Sequence, residues 1–274
     1  MKWFLVFALL LPGFSSAEEP PAWFTDTLLD FREDVADAAR ERKRVMVYFG
    51  QDGCPYCKRL MEVNFKDPTI VAKMRRHFMA IALNIYGDRE VTWTDGRTMS
   101  EKQLAAALRV QFTPTLVFFD EKGGEALRIN GYLPPDRFLA ALDSALMGSP
   151  KTKPLAAKPG RLTAILVVSP KCAACDELER DSLKRPEVRA LLDKFEFVRK
   201  SEAKPVGYVP SLILYDRSGR EVLRTEAYLR PFHLAAALDY VASGAHAREP
   251  SFQRFLQARA EEMRSRGQAV NLWD

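Results

Sequence analysis

The sequence has few of the side chains that carry metal and redox chemistry: its 274 residues include four cysteines and three histidines. The histidines, His77, His233 and His246, stand far apart, so each is expected at the surface or as a cap rather than in catalysis. No cluster of Met or His is present for copper. We therefore predict no metal site and no cofactor, which leaves the cysteines to be explained.

Charge of one sign is not concentrated anywhere. The formal net charge of +5 is spread along the chain, so it argues against a nucleic-acid partner. Hydrophobic residues at 47% and charged residues at 28% are typical of a soluble globular protein, and the length is sufficient for two domains.

Long apolar runs are missing, and the one notable run lies at the start, in "MKWFLVFALLLPGFSSAEEP". It is too short to span a bilayer, which argues against a membrane anchor. Ser15 and Ala17 suit signal peptidase, so we predict a signal peptide over 1–17 with cleavage before Glu18. No cysteine follows to carry a lipid. The mature protein is expected in a bacterial periplasm, where disulfides persist, without a stable membrane anchor.

The four cysteines form two pairs of equal spacing, Cys54/Cys57 in "GQDGCPYCKRL" and Cys172/Cys175 in "SPKCAACDEL". Each pair could be a redox dithiol, half of a metal site or a structural disulfide. A bridge between residues three apart closes almost no loop and adds little stability. A joint zinc site is disfavoured because 115 residues separate Cys57 from Cys172 and each pair begins a helix of its own.

An internal repeat accounts for the second pair. Residues 113–148 align without gaps to 209–244, and Pro114 matches Pro210. Each unit reads as strand, C-x-x-C, helix, strand, hairpin and helix, which predicts a mixed α/β sheet with helices on both faces. We predict domain 1 over 18–148, a linker over 149–160, a shortened domain 2 over 161–248, and a C-terminal helix and tail over 249–274.

The two units differ in length between the dithiol and the matched proline: 57 residues against 35. The additional residues of the first unit are 86–110, which are predicted to form a polar loop and a helix. In that loop Asp88, Arg89, Asp95 and Arg97 are interpreted as a solvated face, and Trp93 as either exposed for a partner or packed. Phe252, Phe255 and Leu256 lie at helical spacing, so the C-terminal helix is expected to pack on the second unit.

The placement of each dithiol suggests its chemistry. Cys54 and Cys172 stand where a strand ends and a helix begins, and a helix N-terminus stabilises a thiolate. Each is therefore the expected nucleophile. Cys57 and Cys175 lie one turn further in, less exposed, and are expected to resolve the mixed disulfide.

Both units resemble thioredoxin-fold domains, through "YFGQDGCPYCKRL" and "QFTPTLVFFDEKGGEALRINGYLPPDRFLAAL" in the first and a shortened version in the second. The resemblance implies that Pro114 and Pro210 are cis-prolines facing the dithiols. It also implies that Thr113 and Val209 contact the bound substrate chain, and Pro55 and Tyr56 are expected beside that surface. The first unit is particularly similar to exported thioredoxin-like proteins encoded with bacterial sulfur-oxidation genes.

Two departures from the family bear on mechanism. The family's buried acid, six residues before the nucleophile, is Tyr48 in the first unit and Leu166 in the second. Neither is expected to accept the proton of the resolving thiol, so the route of that proton stays open. The Pro-Tyr dipeptide resembles that of glutaredoxins, but the residues after Pro114 follow thioredoxin, so glutathione binding is not implied.

The resulting hypothesis is a periplasmic thiol–disulfide oxidoreductase that reduces protein or small-molecule disulfides, with a possible relay between its two dithiols and a membrane thiol donor as partner. The alternatives are a disulfide oxidase or isomerase, and a non-enzymatic binding protein that holds a partner or a metal.

Overall fold

A computed structural model describes residues 19–147, 157–170, 172–202, 209–226 and 229–270. The expected signal peptide and most of the expected linker lie outside these ranges, so both stay predictions, as do the domain limits. The described residues contain two four-stranded mixed sheets, one in each half of the repeat, together with a two-stranded hairpin. The predicted mixed α/β class is confirmed.

The first sheet is ordered β2-β1-β5-β6, so the strand that leads into Cys54 lies inside it. β1 runs parallel to β2 and antiparallel to β5, and β6 forms the antiparallel edge. The strands are β1 (Arg44–Gly50), β2 (Phe78–Asn84), β5 (Thr115–Phe119) and β6 (Glu125–Asn130). A central β1 fixes the position of the dithiol that follows it.

Successive residues of β1 point to opposite faces of this sheet, as strand geometry requires. Met46 and Tyr48 enter one core, and Val47 and Phe49 enter the other. Helices α2, α3 and α5 cover the first face, and α1 and α4 cover the second. The helices are α1 (Phe31–Arg40), α2 (Pro55–Glu62), α3 (Pro68–His77), α4 (Glu101–Ala107) and α5 (Pro135–Met147).

The second sheet repeats this topology in the order β10-β9-β7-β8. Its strands are β7 (Thr163–Val168), β8 (Glu196–Ser201), β9 (Ser211–Tyr215) and β10 (Glu221–Thr225). Three helices pack on one face: α6 (Ala173–Glu177), α7 (Pro186–Leu192) and α8 (Pro231–Ala242). A π-helical turn, Leu178–Ser182, follows α6. The other face holds a small cluster of Ile165, Val167, Ile213 and Tyr215, because the shorter unit lacks counterparts of α1 and α4.

The C-terminal helix α9 (Phe252–Ser265) joins the two units. Its packing on the second unit is confirmed, since the ring centroids of Phe252 and Tyr240 are 5.3 Å apart. It also contacts the first unit, which the periodicity did not predict. The ring of Phe252 lies 5.3 Å from that of Phe112, and the amide of Phe252 donates to Gln111 Oε1 at 3.0 Å.

The insertion over 86–110 contains more secondary structure than the predicted polar loop and helix. It contains a hairpin of β3 (Glu90–Thr92) and β4 (Thr98–Ser100) ahead of α4. Trp93 packs between Phe31 and Phe119, so the packing interpretation is the correct one. Arg89 does not lie on a purely solvated face, because it donates at 2.7 Å to Glu101, which is buried. Within the described ranges no helix has the length and apolar content needed to cross a membrane.

Candidate active site

Cys54 lies at the junction that the sequence predicted. β1 ends at Gly50, α2 begins at Pro55, and Cys54 is the N-cap of that helix in an extended conformation. Its Sγ accepts the backbone N–H of Cys57 at 3.3 Å. Pro55 occupies the first helical position, where no N–H is required. The free N–H groups of the first turn therefore surround the sulfur.

The loop before β5 closes over this sulfur. The Thr113–Pro114 peptide is cis, as expected from the resemblance, and so is Val209–Pro210. The Thr113 hydroxyl donates to Cys54 Sγ at 3.3 Å, and the Cys54 thiol donates to the Thr113 carbonyl at the same distance. When the thiol loses its proton, the hydroxyl contact remains and stabilises the thiolate.

These contacts separate the pKa values of the two thiols. The hydrogen bond with the Cys57 side chain is the main cause that lowers the pKa of Cys54 to about 7. Burial opposes it, and the Thr113 hydroxyl and nearby amides assist it. Burial is the main cause that raises the pKa of Cys57 far above its ordinary value, with the Cys54 sulfur adding to the effect. At neutral pH a large fraction of Cys54 is therefore thiolate, whereas Cys57 stays protonated.

Tyr48 contributes a contact that sequence reasoning missed. Its side chain hydrogen-bonds Cys57 and opposes the rise in the pKa of that thiol. A Cβ at position 50 would overlap the Tyr48 hydroxyl, so Gly50 leaves the space in which the hydroxyl lies. The signal was present in the sequence: Tyr48 lies on the same face of β1 as Met46, the face that α2 covers.

The second dithiol has the same backbone placement but different neighbours. Cys172 is the N-cap of α6, and its Sγ accepts the N–H of Cys175 at 3.2 Å. The two cysteines are joined as a disulfide, whereas Cys54 and Cys57 are free thiols. The Val209 carbonyl lies 3.8 Å from Cys172 Sγ. Val209 has no hydroxyl to match that of Thr113, and Leu166 has none to match that of Tyr48.

A cavity of about 720 Å³, here called the inter-unit cavity, brings most of the predicted site residues together. The first unit contributes Cys54, Pro55, Tyr56 and Thr113, and the second contributes Ala174, Val209 and Pro210. Residues 253–264 of α9 add a further wall. Pro114 and the other three cysteines do not line this cavity. Both dithiol helices and both cis-proline loops therefore border one space.

His233 corrects the expectation that every histidine lies at the surface or caps a helix. It lines the inter-unit cavity, and its ring centroid is 6.3 Å from that of Tyr56. Burial is the main cause that lowers its pKa to about 4, so the ring is neutral at neutral pH. Among the described residues its Nδ1 has no hydrogen-bond partner. The internal repeat links this position to the first unit, since His233 aligns with Arg137 and both residues line the cavity.

A second cavity of about 500 Å³ lies on the other side of the first dithiol. Tyr48, Gly50 and Cys57 border it, together with the N-terminal segment that starts at Glu19. Cys54 borders the inter-unit cavity and Cys57 borders this one. The nucleophile and the resolving thiol therefore face different spaces. Over the same described ranges, no group of three or more His, Cys, Asp or Glu side chains is arranged to hold a metal ion.

Comparisons with known proteins cover part of the chain. Residues 31–146 match the sequence model of a family described as a thioredoxin-like domain. Among curated proteins, the chain is similar to the thiol:disulfide interchange protein DsbD of Tatumella citrea, with 27% identity over 139 residues, 49% of this chain and 22% of that protein. It is also similar to the protein of the same name from Photorhabdus laumondii, with 32% identity over 98 residues, 35% of this chain and 15% of that protein. The matched part is thus a small share of those relatives.

Solved structures give matches of similar extent. A thioredoxin-fold protein from Helicobacter pylori is 30% identical, covering 46% of this chain and 76% of that one, with a TM-score of 0.37. A thioredoxin from Thermus thermophilus is 28% identical, covering 43% and 84% respectively, with a TM-score of 0.35. The chain contains a thioredoxin-like domain over 31–146, and the second unit lies beyond that match.

The Cys54 thiolate predicts a specific pH dependence of alkylation. The rate of reaction of reduced protein with iodoacetamide should rise as pH increases through about 7, because only the thiolate reacts. Thr113→Val removes a donor to the thiolate and should lower the rate at pH 7 by about fivefold. Mass spectrometry of the alkylated peptides measures each site. Thr113→Ser keeps the hydroxyl and should restore the profile; a Thr113→Val profile equal to wild type would rule out the contact.

The Tyr48 hydroxyl predicts a defect in the second step of exchange. Tyr48→Phe removes the hydrogen bond that favours the Cys57 thiolate, so resolution of a mixed disulfide at Cys54 should slow by about tenfold. Acid quenching followed by mass spectrometry measures how long the Cys54 adduct persists. Tyr86→Phe is the control, because the Tyr86 hydroxyl has no hydrogen-bond partner among the residues described. Equal adduct lifetimes in the two variants would show that Tyr48 has no such role.

Proposed function

We propose that the chain is a thiol–disulfide oxidoreductase that reduces disulfides through Cys54 and Cys57. The observation that carries this proposal is the asymmetry of the first dithiol. Cys54 has a pKa of about 7 at a helix N-terminus and borders an accessible cavity, whereas Cys57 is held as a thiol behind it. The match of residues 31–146 to the thioredoxin-like domain family supports the same chemistry.

The reaction proceeds in two displacements. The Cys54 thiolate attacks one sulfur of the substrate disulfide; that bond breaks, a mixed disulfide forms and the other sulfur leaves as a thiolate. Cys57 then loses its proton and attacks Cys54 Sγ, which releases the second substrate thiolate. The substrate gains two electrons, and Cys54 and Cys57 become a disulfide. A reductant must then restore the dithiol.

The degree to which the Cys54 thiolate is stabilised supports one direction of transfer over the other. A strongly depressed thiol pKa stabilises the reduced protein and makes its disulfide an oxidant, as in DsbA, where the nucleophile has a pKa of about 3.5. The pKa of about 7 for Cys54 is close to the value in thioredoxin, a reductant. We therefore favour a reductase over an oxidase or isomerase.

A relay between the two dithiols is the second part of the proposal. Residues next to both pairs, including Thr113 and Val209, border the inter-unit cavity, which supports a route from Cys172/Cys175 to Cys54/Cys57. We propose that electrons enter the second dithiol from a membrane thiol donor and pass to the first. We also propose export to a periplasm, supported by the sequence of residues 1–17, which N-terminal sequencing of the mature chain tests. The link of the first unit to sulfur oxidation stays a prediction.

Turnover assays test the oxidoreductase. With dithiothreitol as electron donor, wild type should reduce small disulfides catalytically, and Cys54→Ser should abolish this because the nucleophile is lost. Cys57→Ser should react once and remain as a mixed disulfide, visible by mass spectrometry. A reversible thiol titration without turnover would support a binding protein instead. A strongly oxidising potential for Cys54/Cys57 would contradict the reductive direction.

A trapping experiment tests the relay separately. A variant with both Cys57→Ala and Cys175→Ala retains only the two nucleophiles. On mild oxidation it should form an intramolecular Cys54–Cys172 disulfide at a rate independent of protein concentration. Peptide mapping under non-reducing conditions identifies the bond. The triple variant that also carries Cys172→Ser retains Cys54 as its only cysteine, and it is the control for nonspecific crosslinks between molecules. Crosslinking only between molecules would exclude the relay and leave the activity of the first dithiol unaffected.

A further inference from the structure

The surroundings of Cys54 differ from those of an exposed dithiol. Cys54 is only 6% exposed, and the second unit and α9 form walls of the inter-unit cavity that it borders. The volume of about 720 Å³ lies within the range of small-ligand sites, about 300–1,000 Å³. A substrate must fit in this space to place a sulfur beside Cys54.

Hydrogen bonds hold α9, which forms one wall of the cavity, beside the loop that carries Thr113. Gln253 Nε2 donates to the Gln111 carbonyl at 3.0 Å, and Gln111 Nε2 donates to the Pro250 carbonyl at 3.2 Å. These contacts accompany the Phe112–Phe252 ring contact and lie one to two residues from Thr113. The wall is therefore part of the folded site, and admitting a folded protein domain would require breaking it.

The charged side chains that line the inter-unit cavity indicate which charged groups its ligand has. Arg59, Arg137, Arg230 and Arg264 line the cavity, and none of the four has an ion-pair partner among the described residues. An equal number of aspartate and glutamate side chains line it, likewise without ion pairs within the described part of the chain. His233 adds a neutral ring, and its Nδ1 has no hydrogen-bond partner among the described residues. Carboxylate and ammonium groups on one small molecule would each find a partner here.

We propose that the inter-unit cavity is the substrate site of Cys54 and that its substrate is a low-molecular-weight zwitterionic disulfide, of the size and charge of an amino-acid or short-peptide disulfide. The proposal rests on the proposed function and narrows its substrate class. Cys54 and Cys57 are oxidised to a disulfide while the ligand disulfide accepts two electrons and two protons and leaves as two thiols. Folded protein disulfides are excluded by the wall of α9 and the second unit.

Variants of α9 test the cavity without altering the dithiols. Gln257 and Glu261 are exposed residues one turn apart that line the cavity, so Gln257→Trp and Glu261→Trp fill the space without disturbing a core. Ala258 is equally exposed on the same helix and does not line the cavity, so Ala258→Trp is the matched control. Three disulfides serve as probes: cystine, uncharged hydroxyethyl disulfide and insulin.

The measurement is the rate at which each disulfide oxidises reduced Cys54/Cys57, divided by its rate with dithiothreitol. Cystine should exceed both other probes by about tenfold, and each filling variant should lower the cystine rate by about tenfold while Ala258→Trp leaves it unchanged. Equal normalised rates for the three probes, or filling variants that react like Ala258→Trp, would overturn this proposal alone. Absence of reaction with all three probes would overturn the proposed function as well.

Discussion

The pair of hydrogen bonds between Cys54 and Thr113 connects the first dithiol to the rest of the molecule. One residue earlier, Phe112 packs in the hydrophobic core of the second unit, and Gln111 binds the backbone and side chains at the start of α9. A segment of three residues therefore touches the reactive sulfur at one end and the second unit at the other. A displacement of α9 would therefore act on Thr113, one of the groups that lower the pKa of Cys54.

The two units share a backbone but not a chemical environment. The first places hydroxyl groups beside both of its sulfurs, from Thr113 and Tyr48. The second has Val209 and Leu166 at the equivalent positions, and neither can donate a hydrogen bond to a thiolate. Hydroxyl donors favour the charged form of a thiol, so the first dithiol has a source of thiolate stabilisation that the second lacks. Such a difference suits two sites with different partners.

Local patterns predicted much of this structure, and contacts between distant segments were the part they missed. The strand, dithiol and helix order placed Cys54 and Cys172 correctly at helix N-caps. The cis bonds before Pro114 and Pro210 were expected from the resemblance to thioredoxin-fold domains. The β3–β4 hairpin was missed because three-residue strands rich in Thr and Ser carry no clear alternation. The position of His233 and the contact of α9 with the first unit were missed because they depend on how the two units pack, which periodicity within one helix does not encode.

The proposed relay and the proposed substrate would share the inter-unit cavity, which implies an order of events. A ligand in this cavity would separate the two dithiols, so electron transfer between them would follow the departure of the product. A high concentration of substrate would then slow the re-reduction of the Cys54–Cys57 disulfide. In this proposal, the same cavity walls that select the substrate also limit the rate of turnover.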